Sequence, residues 1–270
     1  MLDPSTPGIL NPLVCSQMPK GFFITGTDTG VGKTVIAAAL IKAVHMLGLR
    51  ACGMKPIETG CLRQGFEVQS STFNVQRSEF EDQNESLIPA DGMFLRTIAG
   101  TEESIDLITP VRFENPLAPL PASEIEGMPV DIEKIREAFS FLSRNYDAVV
   151  VEGIGGLLAP IGGDYFVLDL ARDFGLPLIV VSKPGLGTIN HTMLTVNCAL
   201  KEGLNVAGII MNYSNTPQGN LAENTNPEVI KRISPAPLIG VFPYLPDLES
   251  ATIEKAVAKN LDLEIIKKYL

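Results

Sequence analysis

The stretch Gly21-Phe22-Phe23-Ile24-Thr25-Gly26-Thr27-Asp28-Thr29-Gly30-Val31-Gly32-Lys33-Thr34 leads into an Ala/Leu-rich segment, Val35 to Leu47. An apolar strand, a glycine-rich turn and a helix opening on Lys-Thr make a phosphate-binding loop. The glycines let backbone N–H groups turn toward a polyphosphate, the lysine reaches the β and γ phosphates, and the threonine hydroxyl can hold Mg²⁺. The chain is therefore expected to bind a nucleoside triphosphate. The spacing is a variant: the usual pattern puts about four residues between the first glycine and the Gly-Lys pair, whereas Thr27 to Val31 make five. A plain strand-to-helix connection would leave Lys33-Thr34 at the helix start without a reason.

Outward from this loop, apolar runs alternate with helical patterns, as a largely parallel sheet covered by helices requires. Strands are expected at Gly21–Thr25, Ala51–Ile57, Ala148–Val151, Pro177–Ser182, Val206–Met211 and Leu238–Val241, and helices near 32–48, 132–144, 188–203 and 250–260. The fold class predicted is α/β: a three-layer, phosphate-loop-NTPase-type sheet, mostly parallel, with helices on both faces. No Gly/Ser linker divides the chain, so one domain is expected over residues 20–270. Residues 1–19 read as a flexible extension, and Cys61 to Glu85, rich in Gln, Ser, Asn and Glu, as a surface excursion.

Composition removes several classes of function. A net charge of −10 without a Lys/Arg cluster lacks the electrostatic footprint of a nucleic-acid binder. Cys15, Cys52, Cys61 and Cys198 form no C-x-x-C pair, and His45 and His191 are the only histidines, which speaks against structural zinc or a disulfide framework. With no signal-like N-terminus and no apolar run of membrane-spanning length, the simplest expectation is a soluble cytoplasmic protein with reduced thiols and no membrane partner.

Ligands of parallel α/β sheets gather at the carboxyl ends of the strands. There, Lys55 in Lys55-Pro56-Ile57-Glu58-Thr59-Gly60 suits an anionic or nucleophilic substrate group, or is a solvated strand-end lysine. Glu152 follows the buried run Val149-Val150-Val151 and precedes glycines, where a hard cation near the Thr34 hydroxyl wants a carboxylate. Asp91, in Pro89-Ala90-Asp91-Gly92, reads locally as a helix N-cap. Ser182 to Asn190 is a second glycine-rich turn, fit for a carboxylate or merely a tight connection capped by Thr188. Asn212 can read a nucleobase or end its strand, His191 reads as packing, and the sequence names no partner for His45.

Assembled, these segments resemble the dethiobiotin synthetases, ATP-dependent enzymes that close the ureido ring in biotin synthesis. The resemblance spans roughly residues 21 to 246 and rests on Gly26–Thr34 with its extra residue, Lys55–Gly60, Val151-Glu152-Gly153-Ile154-Gly155-Gly156-Leu157, Gly185-Leu186-Gly187-Thr188-Ile189-Asn190-His191, and Pro235–Gly240. It implies that Gly30, Val31, Gly32, Lys33, Thr34 and Val35 wrap the ATP phosphates, with Gly153, Ile154 and Gly155 nearby. It implies Mg²⁺ on Thr34, Asp91 and Glu152, which displaces the purely capping role of Asp91. Asn212 and Tyr213 would meet adenine, and Pro243, Tyr244 and Leu245 would line its pocket. Lys55, Lys33 and Thr29 would serve the reaction, with Thr59 near the substrate. Gly187, Thr188, Ile189 and Asn190 would receive the substrate carboxylate from the neighbouring subunit of a homodimer. The implied substrates are 7,8-diaminononanoate, CO₂ and ATP. Gly30 departs from the family, which often has an acidic residue there, as does Thr59, where Ser is frequent.

Two other readings share the loop. An amide-forming enzyme of the cobyrinate-synthase kind needs a glutaminase domain with a nucleophilic Cys, for which 270 residues leave little room. A partitioning-type switch ATPase brings a signature lysine early in the loop, where this chain has Thr27, Asp28 and Thr29.

Overall fold

Phe22, Phe23 and Ile24 are fully buried, yet they belong to two different cores. That is the mark of a strand in the middle of a sheet covered on both faces, and it sets the architecture of the computed structural model, which describes residues 19–63 and 87–270. Of the extension expected at residues 1–19, residues 1–18 with Cys15 lie outside the described residues, as does the excursion expected from Cys61 to Glu85 from residue 64 onward.

The strands are β1 Gly21–Gly26, β2 Ala51–Met54, β3 Ile57–Thr59, β4 Leu62–Arg63, β5 Leu87–Ile88, β6 Val111–Phe113, β7 Ala148–Gly156, β8 Pro160–Gly162, β9 Tyr165–Phe166, β10 Leu178–Ser182, β11 Val206–Asn212 and β12 Leu238–Phe242. The helices are α1 Lys33–Met46, α2 Ala90–Ala99, α3 Ile105–Ile108, α4 Pro119–Glu126, α5 Ile132–Asn145, α6 Val167–Phe174, α7 Thr188–Lys201, α8 Leu221–Ile233, α9 Ser250–Asn260 and α10 Leu263–Lys267. Six strands form one parallel sheet in the order β12-β11-β10-β1-β7-β2. Phe22, Ile24 and Val150 face α1, α2, α9 and α10, while Phe23, Val149 and Val151 face α5, α6, α7 and α8. One sheet thus joins both cores into a single α/β domain.

The chain leaves β1 for β2, two places away, then returns to β7 beside β1 before crossing to β10 on the other flank. Such a reversal opens a crevice at the carboxyl ends of the central strands. Among the described residues no helix is long and apolar enough to cross a membrane.

The expected strand Ala51–Ile57 proves to be two. β2 stops at Met54, the Lys55 N–H turns to the Ile108 carbonyl at 2.8 Å, and β3 pairs with β6 in a separate ladder. Pro56 has no N–H to continue the first ladder. The third expected strand runs beyond Val151 to Gly156, carrying Glu152 inside it rather than after it.

Candidate functional site

The turn after β1 is shaped by two glycines in the left-handed region, Gly30 at φ +71° and Gly32 at φ +87°. Gly32 is also sterically compelled: a Cβ there would lie 2.1 Å from Asn212 Nδ2. That same amide nitrogen donates to the Val31 carbonyl at 2.9 Å, so the end of β11 braces the loop from behind. Lys33 opens α1 and folds back over the loop, its ammonium 3.4 Å from the Asp28 carbonyl. Burial, and next the Lys55 charge, lower its pKa to about 8, a cation poised for an anionic partner.

Lys33 and Thr34 from α1, Asp91 from α2, Lys55 just after β2 and Glu152 within β7 line one cleft of about 290 Å³ together with Thr29, Gly30, Gly32, Glu58, Thr59, Ile154 and Gly155. Thr34 Oγ1 donates to Glu152 Oε1 at 3.0 Å, and Lys55 Nζ meets the same oxygen at 2.6 Å. Lys55 Nζ also stands 3.4 Å from Asp91 Oδ2. Burial alone would lower the Lys55 pKa, but the Glu152, Asp91 and Glu58 charges outweigh it and hold the ammonium protonated. Lys55 is thus buried and ion-paired, not a solvated strand-end lysine.

Asp91 is not an N-cap. Pro89 holds that position with no side-chain cap, and the first-turn N–H groups of α2 go instead to Glu58: Asp91 N to Oε1 at 3.0 Å and Gly92 N to Oε2 at 2.9 Å. The Asp91 carboxylate is left to face Lys55. Burial first, and the Asp91 charge second, push the Glu58 pKa up to about 7. Glu58 was passed over in the sequence; its only signal there was a carboxylate three residues after Lys55.

For a divalent cation Asp91, Glu152 and Thr34 offer two carboxylates and a hydroxyl, an all-oxygen set suited to a hard ion. Glu152 Oε2 is buried without a hydrogen-bond partner, an oxygen that a cation would satisfy. Among the described residues, this cleft included, no trio of His, Cys, Asp and Glu side chains gathers as a metal cluster.

The other expected site residues do not line this cleft. Gly153 packs against Phe23 so closely that a Cβ there would lie 2.9 Å from that ring. Val31 is buried under the loop, and Val35 packs against the α1-side core. Asn212 is buried, its Oδ1 unpartnered, and Tyr213 N donates to the Phe242 carbonyl at 3.0 Å, drawing β11 and β12 together. Leu245 packs on the α1-side core, while Pro243 is half-buried and Tyr244 exposed. Gly187, at φ +91°, is itself the N-cap of α7, so Thr188 does not cap; its hydroxyl lies 3.3 Å from that of Thr192. Asn226 Nδ2 holds this turn through the Pro184 and Gly185 carbonyls, at 2.8 and 2.9 Å. Ile189 is half-buried, Asn190 is exposed, and so is His191, contrary to its reading as a packing residue.

A family model described as an AAA domain matches residues 20–252. The ATP-dependent dethiobiotin synthetase BioD of Thermodesulfovibrio yellowstonii is 43% identical, over 92% of this chain and 99% of that protein. The proteins of the same name from Bacillus licheniformis and Bacillus subtilis (strain 168) are 37% and 36% identical, over 93% and 92% of this chain and 97% of each relative. Among solved structures, the MinC:MinD cell division protein complex of Aquifex aeolicus aligns over 92% of this chain and 95% of that one at 16% identity, with a TM-score of 0.47. With a strand-loop-helix phosphate site at its centre and relatives of this identity along nearly its whole length, the chain belongs to the ATP-dependent dethiobiotin synthetase family.

Proposed function

We propose that this chain carboxylates 7,8-diaminononanoate with CO₂ and closes the ureido ring of dethiobiotin at the expense of ATP. The reading is carried by one observation: a single cleft joins the phosphate loop to Lys55 and Thr59, in a chain related to a named synthetase over 92% of its length. One amine of the substrate and CO₂ give a carbamate, an anion. Lys33 and Lys55, two buried cations on one cleft, supply the charge that holds it beside the γ-phosphoryl group. The carbamate oxygen attacks phosphorus, ADP leaves, and the resulting carbamic-phosphoric anhydride presents a carbon open to the second amine. That amine closes the ring and expels phosphate.

Thr34, Asp91 and Glu152 would hold Mg²⁺, which neutralises charge on the phosphate oxygens. The chain's own part is positioning and electrostatics: Lys33 holds the phosphates, Lys55 the carbamate, and Thr29 and Thr59 the reacting end of the substrate. No side-chain nucleophile enters, so the absence of a histidine from the cleft is no obstacle. Asn212, Tyr213, Pro243, Tyr244 and Leu245 would frame the base, and the Gly187–Asn190 turn would take the substrate carboxylate across a homodimer.

The test is ADP release measured with diamine and bicarbonate together, and with each omitted. Turnover that needs both supports the reading; turnover indifferent to the diamine removes it.

A further inference from the structure

We propose that Glu58 is a positioning residue: from outside α2 it caps the first turn of that helix and thereby sets the Asp91 carboxylate toward Lys55 and Glu152. The inference rests on the reading of Asp91 as a metal-side residue.

The first N–H groups of a helix have no partner within it, and α2 supplies none of its own, since its N-cap is Pro89. Glu58 answers with both oxygens, one to Asp91 N at 3.0 Å and one to Gly92 N at 2.9 Å. A carboxylate at this end also opposes the positive pole of the helix. Both acceptors are thus engaged by backbone, so Glu58, although it lines the cleft, acts through Asp91 rather than on a ligand.

The same turn is seated from its other side. A Cβ on Gly92 would fall 2.0 Å from the Oγ1 of Thr109, which is fully buried. Clamped between Glu58 and Thr109, the turn can hold Asp91 at one place. Glu152 needs no such device, because it lies within a central strand of the main sheet. The two carboxylates that converge on Lys55 are therefore placed by different means, one by the sheet and one by Glu58.

The experiment is titration of the full chain with Mn²⁺ in the presence of a non-hydrolysable ATP analogue, free Mn²⁺ being read by electron paramagnetic resonance. Nucleotide affinity in EDTA and the melting temperature are measured alongside for wild type, Asp91→Asn, Glu58→Ala and Glu58→Gln. Removing a group that orients a metal ligand weakens metal binding by about tenfold to a hundredfold. We expect Glu58→Ala to raise the Mn²⁺ Kd by about tenfold or more, with Glu58→Gln, which keeps one carbonyl acceptor, between it and wild type and with nucleotide affinity in EDTA unchanged. If Asp91→Asn weakens Mn²⁺ binding and neither Glu58 variant does, whatever their melting temperatures, the proposal is overturned while the Asp91 reading stands. If Asp91→Asn has no effect either, the Asp91 reading fails and takes this one with it. Should Glu58→Ala not fold, Glu58→Gln decides the matter.

Discussion

At Gly32 a methyl group would arrive 2.1 Å from Asn212 Nδ2, on a backbone at φ +87°. Holding a non-glycine residue in that region costs about 1–2 kcal/mol, before the collision is counted. Gly32→Ala should therefore weaken nucleotide binding by about tenfold or more, read by calorimetry; unchanged affinity would mean that the loop is not the phosphate cradle. Lys55 has a different signature. It is buried between Glu152 and Asp91, and removing one partner of a buried pair costs about 3–5 kcal/mol. Lys55→Ala should melt at a lower temperature, bind ATP near normally, and lose ring closure by about a hundredfold or more; product formed at the parental rate would refute its assignment. Lys33, Thr34 and Glu152 could be found in the sequence because a phosphate loop and a buried strand announce them locally. The role of Glu58 could not, since its partners lie on α2, more than thirty residues along the chain.

The helix α2 illustrates what an element adds. Its first turn rests so closely on Thr109 that only glycine fits at position 92. Gly92→Ala should destabilise the protein by about 1–3 kcal/mol through overpacking, and adding Thr109→Ala should restore part of the loss; denaturant unfolding of the single and double variants measures both. The six strands of the main sheet were readable as apolar runs. What patterning missed was the break at Lys55-Pro56, where a continuous run of strand-like residues serves two ladders because proline cannot donate to the first. It also missed α3, of four residues, and α10, of five, too short to show a period. Nor is α8 among the expected helices, and it forms with Pro227 inside it.

At the scale of the whole molecule, one sheet with a core on each face brings the ends of β1, β2 and β7 to a single cleft. The Gly187 turn lies outside that cleft, next to Leu186, 96% exposed, and at the start of α7, whose Leu194 is 62% exposed. The homodimer proposed above would cover such leucines and carry the turn to the partner's cleft. Sedimentation should give a dimer, and Leu194→Asp a monomer that keeps ATP binding but closes the ring slowly; a fully active monomer would contradict this. The step on which the proposed reaction turns is attack of a carbamate oxygen, not water, on the γ-phosphorus. Its most direct measurement supplies CO₂ labelled with ¹⁸O, quenches the reaction before exchange with water, and weighs the released phosphate. One ¹⁸O is expected in each phosphate formed with dethiobiotin; phosphate carrying oxygen from water alone would rule out attack by the carbamate.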